Sequence, residues 1–201
     1  MNSLMQRLPA QIDFLLACDR LKSVQRTTFL HAGVRAENSA EHSWHLALMA
    51  LTLGEHAPRG TDLNHVVRLL LIHDLVEIHA GDLPFTATAE QHAAQADAEK
   101  SAAARLFGTL PAEQAAEFLA LWQEFEACET GEARFARALD ALQPMLLTWG
   151  DGGLGCAERY PALTAERVLN LKEKYLRDFP TLWAVARELI AQAERTGLIH
   201  P

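Results

Sequence analysis

The chain has 201 residues, 49% hydrophobic and 22% charged, which suits one globular domain with a substantial apolar core and excludes a disordered or fibrous chain. Lysine and arginine total 18 against 26 aspartate and glutamate, a net charge of −8, and no basic cluster offsets that excess, which argues against a large nucleic-acid footprint. No stretch is apolar enough to span a bilayer, no apolar signal-peptide core is present, and Cys18, Cys128 and Cys156 make neither an even set nor a CxxC pair; a soluble, cytoplasmic protein folding as a single domain over 1–201 is expected.

Helical periodicity dominates, with no convincing run of alternating β-branched residues, so the expected fold is an all-α, compact multi-helix bundle. A first helix is expected over roughly 9–22, followed by an irregular or weakly helical connection from Lys22 to Arg35 that carries Arg26. Asn38 with Glu41 forms a capping-box pattern that opens an apolar helix with His42 in its first turn. Thr61 is the expected cap of the next helix, whose run Val66 to Ile72 leads into His73 and Asp74 and ends near Gly81. Thr88 and Gln91 repeat the capping pattern before an Ala-rich helix that stops around Gly108, and Pro111 starts another. A helix over roughly 133–148 contains Asp140, the glycine-rich stretch 149–155 is loop, and helices over roughly 164–177 and 181–196 complete the chain. Trp44, Trp122, Trp149 and Trp183 are expected in the core.

The chemistry gathers around Ile72-His73-Asp74-Leu75-Val76-Glu77, where an imidazole and two carboxylates end an apolar helix. Such groups are costly to bury unless paired or metal-bound. Glu77 follows His73 by four residues and Asp74 by three, so on a helix all three can look toward one site. An imidazole beside a carboxylate suits a borderline or hard divalent cation such as Mn, Fe, Co, Mg or Zn. A His-Asp dipeptide alone is a weak signal, but Glu41-His42-Ser43 before it and Leu139-Asp140-Ala141 after it bring a further His and a further Asp within apolar helices.

Taken together, His42, then His73-Asp74, then Asp140, with Arg26 ahead of them and Glu77, Gly81 and Asp82 following the His-Asp pair, resemble the HD-domain phosphohydrolases, in particular the branch that includes the bacterial 5′-deoxynucleotidases. The resemblance covers roughly residues 10–180. It implies a helical bundle with one divalent metal ion on His42, His73, Asp74 and Asp140, with coordination positions left open for water and phosphate. It further implies Glu77 as the group that activates water or protonates the leaving oxygen, Asp82 at the ribose or the leaving group, and Arg26 as a forked clamp on the phosphate. Thr27 stands where that branch has a Trp directly after the Arg, with Phe29 two residues later.

The activity so implied is a phosphomonoesterase acting on small nucleotides, (deoxy)nucleoside 5′-monophosphates, and members of the branch commonly form homodimers. Alternatives stay open at this point: a two-metal HD phosphodiesterase or di-iron oxygenase, for which His79 and His92 would supply further ligands, or a non-catalytic nucleotide-binding HD protein. His45, three residues after His42, is expected beside the site or at the surface.

Overall fold

A computed structural model describes residues 3–31, 33 and 35–201. The chain starts with α1 (Ser3–Cys18), runs through a 3-10 turn (Asp19–Ser23), and makes a small antiparallel pair, β1 (Gln25–Phe29) with β2 (Ala36–Asn38). Helices α2 (Ser39–Thr52), α3 (Leu63–Ile72), α4 (Glu77–Ala80), α5 (Ala89–Phe107), α6 (Ala112–Ala127), α7 (Gly131–Trp149), α8 (Ala165–Leu176) and α9 (Pro180–Arg195) follow. A parallel bridge between Thr164 and His200 ties the end of the chain to the start of α8.

The expected bundle is present, with α7 at its centre. This helix packs against α2, α3, α6, α8, α9 and β1. Phe135, Ala136, Ala138, Leu139, Ala141, Leu142 and Met145 are buried around most of its circumference, as a central helix requires. Each fully buried large apolar side chain contributes about 1.5–3 kcal/mol. Asp140 and Gln143 interrupt that surface and mark where the apolar core gives way to the site.

The capping boxes at Asn38/Glu41 and Thr88/Gln91 form as expected, each side chain accepting from the N3 backbone while the N3 side chain reaches back. Several expectations need correcting. The connection after the first helix, apart from residues 32 and 34, which lie outside the described residues, holds β1, which pairs with β2 just past its end; the two short strands close on each other and so need no alternating run facing a core. Asp62, not Thr61, caps α3, because the Asp62 carboxylate accepts from Asn64 and His65 while the Thr61 hydroxyl donates to the Pro58 carbonyl. Trp44 is 63% exposed on the outer face of α2, although Trp122 and Trp149 are buried. The helix carrying the His-Asp pair is not continuous to Gly81: after Ile72 it tightens into a 3-10 turn (His73–Val76) before α4.

Candidate metal and phosphate site

That tightening decides where the polar groups point. A 3-10 turn has about three residues per turn, so positions three apart eclipse, which places Asp74 and Glu77 on one edge instead of fanning them as an α-helix would. Gly81, at φ 77°, ends α4 in a conformation that a side chain would resist, and turns the chain so that Asp82 reaches the same cavity. From across the bundle β1 brings Arg26, β2 brings Glu37, the first turn of α2 brings Ser39 and His42, and α7 brings Asp140 and Gln143.

His42, His73 and Asp140 form the tightest group, each offering one ligand atom within 4.8 Å of the others. The two imidazoles are oriented by their far nitrogens. His73 Nδ1 lies 2.8 Å from the Leu70 carbonyl, which can only accept, so this nitrogen carries the hydrogen and Nε2 presents its lone pair. His42 Nδ1 lies 3.1 Å from Gln143 Oε1, and the Gln143 amide nitrogen donates to Glu37 Oε1 at 2.7 Å and approaches His45 Nδ1 at 3.2 Å. With the amide so assigned from its partners, Nδ1 of His42 donates and its Nε2 faces Asp140 Oδ1 at 3.0 Å. A lone pair opposite a carboxylate oxygen asks for a positive charge beside both.

His73 Nε2 is buried and makes no hydrogen bond, although Asp74 Oδ1 is 3.0 Å away. An orphaned lone pair beside carboxylates, with its ring held by a carbonyl on the other side, is what a divalent cation would satisfy, and the N/O donor set fits such an ion. Asp74 approaches two members of the group from its edge, Oδ1 3.0 Å from His73 Nε2 and Oδ2 3.9 Å from His42 Nε2, and its Oδ2 also accepts from Arg26 Nη1 at 3.0 Å.

The charges in this site act on one another strongly. Burial opposes the charge of Asp74, but His73, Arg26 and His42 hold its pKa down at about 2. Burial opposes the charge of Asp140 too, yet when the imidazoles carry a second proton, His42 by hydrogen bond and His42, His73 and Arg137 by charge keep it well below the usual carboxylate range. Glu77 goes the other way. Burial first, then the Asp74 carboxylate, pushes it up to about 10, against the opposing pull of Arg26 and of the Ser39 hydroxyl, which donates to Glu77 Oε2 at 2.6 Å.

Every residue expected at the site is therefore near it: Arg26, His73, Asp74, Glu77, Asp82 and Asp140 line one polar cavity of about 320 Å³, and His42 lies buried behind Asp140. Arg26 is more enclosed than a free phosphate clamp would be, with Asp74 at 3.0 Å, Asp82 at 3.6 Å and Glu37 at 3.7 Å. His45 stands behind His42 on the Gln143 amide, and His92 lines the cavity while His79 does not. Sequence reasoning missed Glu37, Ser39, Gln143, Arg137 and Lys172. Gln143 had a readable signal, a polar side chain three residues after Asp140 on an otherwise apolar helix. Lys172, on an amphipathic helix, had none.

Comparison with known proteins places these residues in company. The HD-domain family matches residues 18–183. Over 142 residues the chain is 30% identical to the 5′-deoxynucleotidase HDDC2 of Dictyostelium discoideum, covering 67% of this chain and 74% of that protein. It is 29% identical to human 5′-deoxynucleotidase HDDC2 over 139 residues, 67% of this chain and just under two thirds, 65%, of the human protein. Among solved structures, a predicted metal-dependent phosphohydrolase from Magnetospirillum magnetotacticum is 44% identical with a TM-score of 0.84, covering 97% of this chain and 99% of that one. An HD-domain phosphohydrolase from Listeria innocua, 19% identical with a TM-score of 0.65 over 92% of this chain and 94% of that one, shares the fold.

Proposed function

From the premise that this chain belongs to the HD-domain family, we propose that it is a divalent-metal-dependent phosphomonoesterase that hydrolyses nucleoside 5′-monophosphates, deoxynucleotides among them, to nucleoside and phosphate. The observation that carries this reading is the pair of imidazole lone pairs, His42 Nε2 and His73 Nε2, each fixed by a partner on its far nitrogen and converging with Asp140 on a polar cavity. The relatives named above as 5′-deoxynucleotidases supply the substrate class.

His42, His73, Asp74 and Asp140 would hold the cation, whose chemistry is to polarise a phosphoryl oxygen and to make water acidic enough to attack near neutral pH. Among the candidate metals, Mn, Co, Fe, Mg and Zn, all accept this mixed imidazole and carboxylate set. Glu77 exchanges the proton. Ser39 occupies its Oε2, leaving Oε1 for the attacking water or the leaving oxygen. Asp82, held near Arg26, supports the ribose or the departing hydroxyl, and Arg26 orients the phosphate through whatever part of its fork Asp74 leaves open.

The whole chain acts as one domain. Among the described residues no helix is long and apolar enough to cross a membrane, and all three cysteines are unpaired, which supports a cytoplasmic location. Met5, Leu8, Leu15 and Leu16 on α1 and Trp44 and Leu51 on α2 are exposed, and a homodimer that covers them is part of the proposal. Sedimentation of the purified protein tests it, and a monomer at all concentrations would remove it.

Phosphate release from ribo- and deoxynucleoside 5′-monophosphates, with Mn, Co, Mg and Zn supplied in turn to chelator-stripped protein, tests the activity. Metal-dependent release from at least one nucleotide is expected. No release with any metal, or full activity in verified metal-free protein, would overturn the reading.

A further inference from the structure

Lys172, on α8, is a cation with no counterion. Its residue is only 7% exposed, and among the described residues no carboxylate lies within the 4.0 Å that would make an ion pair and no hydrogen bond engages its ammonium. What it does touch is the face of Phe85, with Nζ 4.5 Å from the ring centroid. Such a contact stabilises far less than the burial of an unpaired ammonium costs.

Its position says which way the ammonium can turn. Lys172 and Phe85 stand on the wall between the polar cavity and a smaller chamber of about 70 Å³ lined largely by apolar groups, among them Met145, Trp149, Leu154 and Leu163. Arg159, the other cation on that side, lies over the Phe29 ring at 3.6 Å. On the other side are Arg26 and Asp140, which respectively repel and attract the ammonium across the cavity. Arg26 already has Asp74, Asp82 and Glu37 around it. Asp140 is the strongest attraction that Lys172 feels, and in the proposed site that charge is committed to the cation.

We propose that Lys172 is a further protein contact for the phosphate group of the substrate, binding a non-bridging oxygen opposite Arg26 and fixing, together with it, the orientation of the ester in the polar cavity. This rests on the phosphomonoesterase reading for its ligand class, a phosphate monoester dianion. The physical case is complementarity: of the three cations that line the cavity, Arg26 and Arg137 are neutralised by carboxylates and Lys172 is left bare, and a dianion beside it satisfies the third without disturbing the other two. The Phe85 ring lies against the ammonium on the chamber side, so its free hydrogens are left to the polar cavity.

The test compares wild type, Lys172→Met, Lys172→Arg and Lys174→Met, a substitution at an exposed lysine two residues along the same helix. Each is loaded with Mn, checked for metal content and thermal melting, and titrated calorimetrically with inorganic phosphate; KM and kcat are then measured on the best nucleotide. A charge-assisted hydrogen bond of this kind is worth tenfold or more in affinity. Lys172→Met is expected to weaken phosphate binding and raise KM at least tenfold with metal content kept, Lys172→Arg to recover part of the loss, and Lys174→Met to match wild type. Phosphate affinity and KM within twofold of wild type in folded, metal-loaded Lys172→Met would overturn the assignment, as would failure of wild type to bind phosphate at all. Phosphate binding that depends on Lys172 in a protein that hydrolyses no nucleotide would instead sink the phosphomonoesterase reading alone.

Discussion

At Glu77, buried beside Asp74 and held by Ser39, a carboxyl is kept protonated where a proton is useful to a reaction. Glu77→Gln preserves the shape and the Ser39 contact but can no longer exchange a proton, so metal content should be unchanged while kcat falls by roughly 10²–10⁴-fold. Metal loss in that variant would make Glu77 a ligand instead. Lys172 gives the opposite kind of residue-scale signature. Burial lowers its pKa from 10.5 to about 8, against the attraction of Asp140. Between those values the unfolded chain binds the proton and the folded chain does not, so stability from this group rises as pH rises through that window, and below pH 8 the full cost of burying the charge stands. At about 1.4 kcal/mol per pH unit that cost is about 3 kcal/mol, from which the lost Phe85 contact subtracts roughly 0.5–2. Lys172→Met should therefore stabilise the fold at pH 7 by about 1–3 kcal/mol, with the advantage shrinking between pH 8 and 10.5. Denaturant melts across that range check it, and a variant less stable than wild type at pH 7 would show that the ammonium is satisfied within the fold.

At the scale of elements, the site depends on one helix start, one helix that fails to continue and the middle of a third. The Asn38 capping box fixes the first turn of α2 and so the place of Ser39 and His42; the 3-10 turn after α3 puts Asp74 and Glu77 on one edge; α7 lends Asp140 and, one turn on, Gln143. Gln143 acts across elements. It joins β2 to α2 by donating to Glu37 and accepting from His42, and thereby sets which His42 nitrogen is free. Gln143→Leu removes that assignment in a site of similar volume. Partners of this kind typically matter by 10–100-fold, and metal affinity should fall by that much with helicity retained. Affinity unchanged in a titration against a competing chelator would mean that His42 keeps its orientation from the packing of α2 alone.

Across the whole molecule, the ligands come from α2, the turn after α3, and α7, which are distant in sequence, so a bound cation should tie the bundle together. It would take over the compensation of Asp74 and Asp140 that His73, His42, Arg26 and Arg137 supply. Metal at about 100 times its Kd adds about 2.7 kcal/mol to the folded state, which for a chain of this size raises Tm by roughly 5–10 °C. Calorimetric scans of metal-loaded and chelated protein measure that difference, and identical melting curves would show that no ion couples these helices.

What the sequence determined by itself was the helical bundle, the caps at Asn38 and Thr88, and the group His42, His73, Asp74, Glu77, Asp82 and Asp140, because helical periodicity, capping chemistry and ionisable residues in apolar surroundings are local signals. Only the tertiary structure decided the rest. The strand pair is stabilised by pairing between segments whose own patterns are weak, and Trp44 is exposed because α2 turns that face outward. The helix breaks at His73 where the core ends and the cavity begins. Lys172, which reads as an ordinary solvated lysine, is enclosed because α8 packs beside α7 and brings its ammonium over the ring of Phe85, a residue far from it in sequence. A buried charge is defined by what surrounds it, and those surroundings come from the folded chain.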